Sequence, residues 1–536
     1  MNWKKLPARL FYALPEPAQK LARVTYYKAL GGMNRREIRR VRGEKRPWTG
    51  PKGKVLFAPL RYWPIHLAWE SVVAHGLRAR GFGAEFLVCD ECFSACDYRA
   101  GGKVPDSACG VCHKNSAAFL EEFRIPARKL GALLDKPVEI PAGSIAELRA
   151  TRVDGDPVGE WCYQSLCRYL LVGNVPDTAE NQAVYRQFVE GAARCHRGFS
   201  RLLDRERYHA IFLCNGKFFV ERVLFELARR RGIDVLTYER GRIQDTLVFA
   251  WNGFANDGAD DATWRAATAG PLTAEQDSRL TQYLEDRVYG KHSSTDPWNL
   301  GIRDAGRIRK ELKLDGRPLF VLYTNLLWDT SVLEKDLGFT SHAAWLKETV
   351  TWFASRPEFQ LVIRVHPAEA RLQNLQTKER IADLFQALPP NVVMVASTSD
   401  ISSYTLMELA DAVLVYATNA GMEAVLRGKP AICAGRSHYY GRGVTVDAPT
   451  RERYFSSIEG YRSLKPTVET ARRYAYFFFF QTMIPFPVVR EHLRGDTTGR
   501  DFKFAFNDMD EMSANPTPEF ARIVDAVERR SPLYLE

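Results

Sequence analysis

The chain has 536 residues, of which 46% are hydrophobic and 26% charged, so it is long enough for two domains that each bury a core. Its net charge is +11, but residues 1–50 contain 13 Lys and Arg against 3 Asp and Glu, which leaves +10 on this segment and +1 on the rest. A nearly neutral body argues against a broad groove for nucleic-acid phosphates. We therefore expect no specific nucleic-acid partner.

The basic segment 1–50 is predicted to be an amphipathic arm that contacts an anionic membrane surface. Pro15 and Pro17 are expected to interrupt its helix, and a solvated basic extension is the alternative. No apolar segment typical of a secretory signal follows Met1, so we expect a cytoplasmic protein, peripheral at the inner face of the membrane. The apolar side chains that recur at helical intervals in the arm are those of Leu6, Leu10, Leu14, Leu21 and Val24.

The pattern after Pro51 predicts a first parallel sheet in residues 51–315. A buried strand at 54–60, a helix at 68–80 and a second strand at 84–90 make one βαβ unit. A mostly helical region follows, and the strands 208–213 and 233–239 flank a helix at 218–231. The polar stretch 257–315 is interpreted as the link to a second domain.

Residues 316–490 alternate between strands and helices and predict a second Rossmann-like domain, followed by a C-terminal extension at 491–536. The helices are expected at 343–355, 378–388, 402–409 and 421–427. The apolar run Tyr474 to Phe480 is too short to span a bilayer and is expected to pack in a core.

Polar residues follow four strands of the second domain, where the carboxyl ends of parallel strands bind ligands. RVHPAE ends one strand, and its histidine, His366, can donate to a phosphate or to a leaving oxygen. STSDISSY starts a helix with Ser402 and Ser403, which is also ordinary capping chemistry. The remaining candidates for donor binding in these motifs are Arg364, Glu369, Thr418, Asn419, Gly421, Glu423, Arg436 and Tyr439.

The helix start YATNAGMEAVLRGKP suits a diphosphate near Thr418, Asn419 and Gly421 and a ribose diol on Glu423. The following loop, GRSHYYGRGVT, brings Arg436 and Tyr439, which are expected to face a base or sugar. Alternatively, this loop is an ordinary flexible surface loop.

RVHPAE, the helix start and GRSHYYGRGVT together resemble the capsule polysaccharide biosynthesis family of GT-B glycosyltransferases, similar to Kdo and glycerol-phosphate polymer transferases. The resemblance implies an α/β fold with two Rossmann-like domains facing a cleft, a nucleotide-sugar donor, and transfer without a catalytic metal. It also implies that His366 and Arg364 lie near the donor phosphates and Glu423 on the ribose.

A transferase must also deprotonate the acceptor hydroxyl, which is expected to belong to a saccharide or lipid-linked molecule. His66, Glu70 and Glu239 in the first domain are the candidates for this base, with His366 completing the catalytic set. Each of the three could instead form hydrogen bonds between the domains.

The segment 89–113 carries five cysteines in the pattern C-x2-C-x3-C-x12-C-x2-C, followed by His113. Such spacing in a reducing compartment predicts a structural zinc site, with an iron–sulfur cluster or buried free thiols as alternatives. The family resemblance implies that the four ligands are Cys89, Cys96, Cys109 and Cys112.

Two other functions fit parts of the sequence. A nucleotide-sugar 2-epimerase has a similar layout at the C-terminal helix start and would convert its donor without an acceptor. A zinc-containing nucleic-acid-binding protein would use the cysteine segment and the arm, but the neutral body argues against it. The preferred hypothesis is a glycosyltransferase that builds surface polysaccharide or glycolipid.

Overall fold

The computed structural model describes residues 16–44, 47–102, 107–289, 291, 301, 303–371, 379–491 and 502–535. Within them the chain forms two mainly parallel sheets, each covered by apolar side chains on both faces. Helices on both faces explain why the strands are continuous apolar runs rather than alternating ones. The predicted mixed α/β class with parallel sheets is confirmed, whereas the predicted domain limits stay a prediction.

The first sheet has the order β3-β2-β1-β4-β5-β6. Its first five strands in this order are parallel, with Val55 opposite both Ala84 and Ala210, and β6 runs antiparallel at the edge. The sequence analysis missed β6. The strands are β1 (Lys54–Phe57), β2 (Gly83–Val88), β3 (Ala127–Lys129), β4 (Ala210–Cys214), β5 (Val235–Arg240) and β6 (Thr246–Trp251).

The second sheet is entirely parallel, with the order β12-β11-β10-β7-β8-β9. The chain order reverses beside β7, which places a topological switch point at the carboxyl ends of β7 and β10. The strands are β7 (Leu319–Tyr323), β8 (Gln360–Arg364), β9 (Val392–Val395), β10 (Ala412–Val415), β11 (Ala431–Cys433) and β12 (Val446–Asp447).

Helices connect and cover the strands. Those that precede or belong to the first sheet are α1 (Glu16–Val41), α2 (Pro64–Ala79), α3 (Ser107–Glu122), α4 (Ile145–Arg149), α5 (Val158–Leu170), α6 (Ala179–Arg205) and α7 (Phe219–Arg230). The later ones are α8 (Asp261–Ala267), α9 (Ala274–Val288), α10 (Ala305–Glu311), α11 (His342–Ala354), α12 (Ala368–Arg371), α13 (Ser403–Leu409), α14 (Ala420–Leu426), α15 (Arg451–Glu459) and α16 (Val468–Tyr476).

The C-terminal residues return to the first sheet. A short strand, β13 (Ile484–Pro485), pairs antiparallel with β6 and extends that sheet. The hairpin of β14 (Val489–Glu491) and β15 (Phe502–Phe504) and the helices α17 (Met509–Ala514) and α18 (Pro518–Arg529) follow. Phe520 of α18 is buried against Gly76 of α2, so the end of the chain completes the first core.

The basic N-terminal segment is in part a docked helix. Pro17 lies in the first turn of α1, where it does not break the helix, and the predicted positions Leu6, Leu10 and Leu14 lie outside the described residues. At the other end Ile38 and Val41 are fully buried, and Arg39 and Arg42 pair with Glu122 of α3. Residues near the end of α1 are therefore part of the body.

Two further predictions can be compared with the structure. The helix expected at 378–388 is reduced to a 3₁₀ turn at Ile381–Leu384, while residues 372–378 lie outside the described part. The run from Tyr474 to Phe480 does pack in the second core, where Phe477 and Phe479 are almost fully buried. No helix among the described residues has the length and apolarity needed to cross a membrane.

Candidate active site

His366 follows β8 at the carboxyl edge of the second sheet, as predicted. Its Nδ1 accepts a hydrogen bond from the Ala368 amide at 3.0 Å, and its own amide donates to Thr324 Oγ1 at 3.0 Å. Burial, with the nearby charges of Arg364 and Arg242, lowers the pKa of His366 to about 4. The ring is therefore neutral at pH 7, and because Nδ1 is an acceptor, Nε2 carries the proton.

Arg364 is turned toward the protein. Its guanidinium donates to the Ala396 carbonyl at 2.7 Å, to the Ser399 carbonyl at 3.4 Å and to Ser403 Oγ at 3.2 Å. The residue is almost fully buried. It fixes the loop between β9 and α13, and any influence on a ligand would act through this loop.

The other polar residues of these two motifs also make local contacts. Ser402 Oγ caps α13 by accepting from the Thr405 amide at 3.4 Å, and Glu369 Oε2 accepts from the Ile381 amide at 3.0 Å. Burial raises the pKa of Glu369. Helix and turn capping accounts for both of these side chains.

The start of α14 is held by the loop after β11. His438 Nε2 lies 2.7 Å from the side-chain amide of Asn419, and His438 Nδ1 lies 2.9 Å from Tyr474 Oη, which itself donates to the His438 carbonyl. Burial and the charges of Arg242, Lys335 and Arg442 lower the pKa of His438 to about 3. The neutral ring carries one N–H: on Nε2 it donates to Asn419 Oδ1 and so orients Asn419, while Nδ1 accepts from the Tyr474 hydroxyl, whose proton is shared with the His438 carbonyl.

Gly421 and Tyr439 have structural positions that the sequence did not reveal. Tyr439 is fully buried and donates to the Thr418 carbonyl at 2.7 Å, so it faces the core rather than a base or sugar. A Cβ at Gly421 would collide with Tyr439 Oη. The close approach that requires this glycine is therefore made by a tyrosine of the same chain.

Glu423 is paired inside the protein. Its Oε1 accepts from Arg287 Nε of α9 at 2.9 Å, and the carboxylate is largely buried. Burial by itself would lower the pKa of Arg287, but the Glu423 charge more than offsets this and the net pKa is raised. Arg436, by contrast, is exposed, and its backbone amide donates to the Lys335 carbonyl at 2.9 Å.

Arg242 is a cation of this site that the sequence analysis missed. It follows β5 of the first sheet, yet its charge lowers the pKa of both His366 and His438 of the second. Its side chain remains in contact with solvent, and partial desolvation by the surrounding protein lowers its pKa. Among the described residues this guanidinium has no hydrogen bond or ion pair.

Two buried lysines connect the two sheets through one carboxylate. Lys217, which follows β4, and Lys335, which follows β7, both approach Asp257 Oδ1, at 2.7 and 2.8 Å. Burial and the Lys217 charge lower the pKa of Lys335. Burial alone would raise the pKa of Asp257, but the two ammonium groups more than offset it and the pKa is lowered. The triad carries a net positive charge.

The first sheet contributes His66, Cys214, Tyr238 and Glu239 at its carboxyl edge. His66 Nδ1 lies 3.2 Å from Tyr238 Oη and 3.3 Å from Cys214 Sγ. Glu239 Oε2 accepts from Asn215 Nδ2 at 2.8 Å, and Asn215 adopts the left-handed conformation (φ 62°) that asparagine tolerates. Burial, with the charges of Arg240 and Arg61, lowers the pKa of His66 to about 3.

Glu70 lies behind this cluster. It is fully buried and its Oε1 accepts from Tyr238 Oη at 2.7 Å. Burial raises the pKa of Glu70 to about 8, so the carboxyl is largely protonated at pH 7. Of the three predicted bases, the structure brings His66 and Glu239 together and places Glu70 one hydrogen bond further from the edge.

The cysteine segment lies beside the same edge. Cys112 Sγ accepts from the Tyr62 amide at 3.2 Å, and His113 Nδ1 lies 3.1 Å from the Cys89 carbonyl. In the described part of the chain, three potential metal ligands lie within 4.8 Å of one another on the side chains of His66, Cys214 and Glu239. This group includes none of the cysteines of segment 89–113. The predicted zinc at Cys89, Cys96, Cys109 and Cys112 stays a prediction.

Comparison with known proteins gives a family match for one part of the chain. Residues 298–475 match the model of the family described as capsule polysaccharide biosynthesis protein. The matched segment contains RVHPAE, the start of α14 and the loop after β11. The family resemblance of the sequence is thereby confirmed over these residues. No curated protein matches the chain.

Several solved structures are similar to the chain at low identity. The beta Kdo 2,4 transferase KpsC of Thermosulfurimonas dismutans has 14% identity and a TM-score of 0.36, covering 60% of this chain and 87% of its own. The UDP-GlcNAc 2-epimerase of Methanocaldococcus jannaschii has 11% identity and a TM-score of 0.25, covering 79% and 98%. The spinosyn rhamnosyltransferase SpnG has 12% identity and a TM-score of 0.26, covering 79% and 95%. Scores this low establish no shared activity.

Proposed function

We propose that the protein is a glycosyltransferase that moves a sugar from a nucleotide-sugar donor to a surface-polysaccharide or glycolipid acceptor. The family match over residues 298–475 supports this class of reaction. The observation that carries the proposal is the guanidinium of Arg242, which has no partner among the described residues and whose charge lowers the pKa of His366 and His438 at the second sheet's carboxyl edge.

The donor phosphate would bind at this edge. A leaving nucleotide develops negative charge on its phosphate oxygen as the glycosidic bond breaks, so a fixed cation and a neutral N–H donor stabilise the transition state. Arg242 supplies the cation and His366 Nε2 the N–H. Asn419, fixed by His438, supplies a further polar group at the start of α14, and the carboxylate of Glu423 lies on the same helix.

The acceptor would bind toward the first sheet, across a cleft between the two sheets. His66 and Glu239 are the groups there that can take the acceptor proton, because both are partly exposed and both are neighbours at the carboxyl edge. His66 has the lowered pKa of a neutral imidazole, which keeps a lone pair available at pH 7. The transfer chemistry proposed here needs no catalytic metal.

The location belongs to the same proposal. A lipid-linked acceptor would be reached from the inner face of the membrane, where the basic segment 1–50 would contact anionic headgroups. A structural zinc at Cys89, Cys96, Cys109 and Cys112 would stabilise the loop beside the acceptor edge. Both are supported only by the sequence pattern.

The experiment is a thermal-shift screen of purified protein against nucleotides and nucleotide sugars. A donor that binds the folded state raises the melting temperature by mass action. We expect one base to give a selective shift that Arg242→Ala removes and that Arg309→Ala, an exposed arginine of α10, retains. A shift that survives in Arg242→Ala would contradict the site, and turnover of the bound donor without any acceptor would favour an epimerase.

A further inference from the structure

We propose that His66, Cys214 and Glu239 form a zinc-binding site at the carboxyl edge of the first sheet. The three side chains each offer one ligand atom, and these atoms lie within 4.8 Å of one another. The site is separate from the cysteine segment 89–113 and from the donor-binding residues of the second sheet.

The geometry suits a small tetrahedral ion. Zinc binds nitrogen, sulfur and oxygen at about 2.0 to 2.3 Å, so two of its tetrahedral ligands lie roughly 3.5 Å apart. His66 Nδ1 and Cys214 Sγ are already 3.3 Å apart. Only the carboxylate of Glu239 must move closer, and three protein ligands leave the fourth position for water.

The three ligand residues lie in a helix and two strands, and neighbouring side chains form hydrogen bonds that orient Glu239. His66 lies in α2, Cys214 ends β4 and Glu239 lies in β5, so none of them depends on a loop for its position. Asn215 Nδ2 holds Glu239 Oε2 at 2.8 Å, and Asn256 Nδ2 lies 3.4 Å from the same oxygen. Such outer contacts orient metal ligands and raise affinity.

The chemical types of the three ligand atoms determine which metal is favoured. A thiolate beside an imidazole favours zinc over magnesium or calcium, which prefer oxygen ligands. One thiolate and one carboxylate neutralise the two charges of the ion, and the thiol proton is released to solvent on binding. Arg61, whose charge acts on both His66 and Cys214, is already paired with Asp97 and Glu221.

The site coincides with the acceptor base, so a consequence follows that rests on the proposed transferase function. A zinc ion on His66 and Glu239 occupies the lone pairs that would take the acceptor proton. Zinc would therefore inhibit transfer, and a chelator would restore it.

The experiment is a cobalt titration of metal-free protein, followed by the thiolate-to-cobalt charge-transfer absorption. We expect Cys214→Ser to bind about one equivalent less than wild type. Cys433→Ser is the matched control, since Cys433 is a buried strand-end cysteine of the second sheet and should leave the stoichiometry unchanged. Equal binding by folded Cys214→Ser and wild type would overturn the site.

A second variant tests the same metal site in case Cys214→Ser does not fold. Glu239→Gln keeps the size of the side chain, and we expect it to weaken cobalt binding at this site by at least about tenfold. Unchanged affinity in this variant would overturn the site even if Cys214→Ser does not fold. The titration contains no donor or acceptor, so its outcome is independent of whether the protein proves to be a transferase.

Discussion

Glu70 is a carboxyl group that the fold keeps mainly protonated. Its side chain is fully buried, and its Oε2 has no hydrogen-bond partner within the described part of the chain. A buried carboxylate without full hydrogen bonding is costly, so the neutral form is favoured and the pKa rises to about 8. The residue therefore affects stability in a pH-dependent way.

We predict that Glu70→Gln changes the pH dependence of stability. Between about pH 4.5 and 8 the folded protein retains a proton on Glu70 that the unfolded chain loses, so the free energy of unfolding falls as pH rises through this window. Each unit of raised pKa corresponds to about 1.4 kcal/mol. Glutamine cannot ionise, so the free energy of unfolding of the variant should increase relative to that of wild type as pH rises.

Urea unfolding at a series of pH values measures this difference. Glu285→Gln, an exposed position of α9, is the control and should show a constant difference from wild type. A difference between Glu70→Gln and wild type that does not change with pH would show that Glu70 ionises normally in the folded protein.

At the scale of elements, the start of α14 depends on its packing against the loop after β11. Gly421 allows Tyr439 Oη to reach the Thr418 carbonyl, and His438 fixes Asn419 in the same turn. One glycine and two aromatic rings therefore set the position of the polar groups proposed to face the donor.

We predict that Gly421→Ala lowers the free energy of unfolding by about 1 to 3 kcal/mol, the usual cost of overpacking a core. Tyr439→Phe removes the colliding oxygen, so the double variant should recover part of the loss. Denaturant unfolding of the two single variants and the double variant measures the coupling. Additive losses would mean that Tyr439 does not cause the strain.

The sheets were predictable because their strands are continuous apolar runs with sharp polar ends. The strand 54–57 lies within the predicted segment 54–60, and the polar ends RVHPAE and YATN do lie at one sheet edge. The edge strand β6 and the return of the chain at β13 were missed, because short edge strands have little periodic signal and their pairing is non-local.

The direction of each side chain was not predictable. Arg364 and Arg242 are both arginines at strand ends, yet Arg364 binds loop carbonyls and Arg242 is exposed to solvent. Tyr439 was expected at a ligand and lies in the core, while Glu423 is paired with Arg287 of a distant helix. Such contacts join segments far apart in the chain, and no local pattern encodes them.

For the whole molecule, the Lys217–Asp257–Lys335 triad is the buried charge network that joins the two sheets. We predict that Asp257→Asn lowers the free energy of unfolding by roughly 2 kcal/mol, below the usual cost of breaking a fully buried pair because Asp257 is one-third exposed. Two ammonium groups would then remain near each other without the carboxylate that pairs with both of them.

Denaturant unfolding measures this loss, and added sulfate should reduce it by screening the lysines. Asp261→Asn is the matched control, because Asp261 pairs with Arg442 at an exposed position and should cost little. Equal stability of Asp257→Asn and wild type would mean that the triad does not hold the sheets together.

The most direct measurement of the central claim is a transfer assay with product mass determined by mass spectrometry. Purified protein is incubated with the nucleotide sugar found by thermal shift, with and without saccharide acceptors. We predict an acceptor product heavier by one sugar residue, formed by wild type and lost in Arg242→Ala and His366→Ala. Donor conversion that needs no acceptor, or transfer that survives in both variants, would contradict the account.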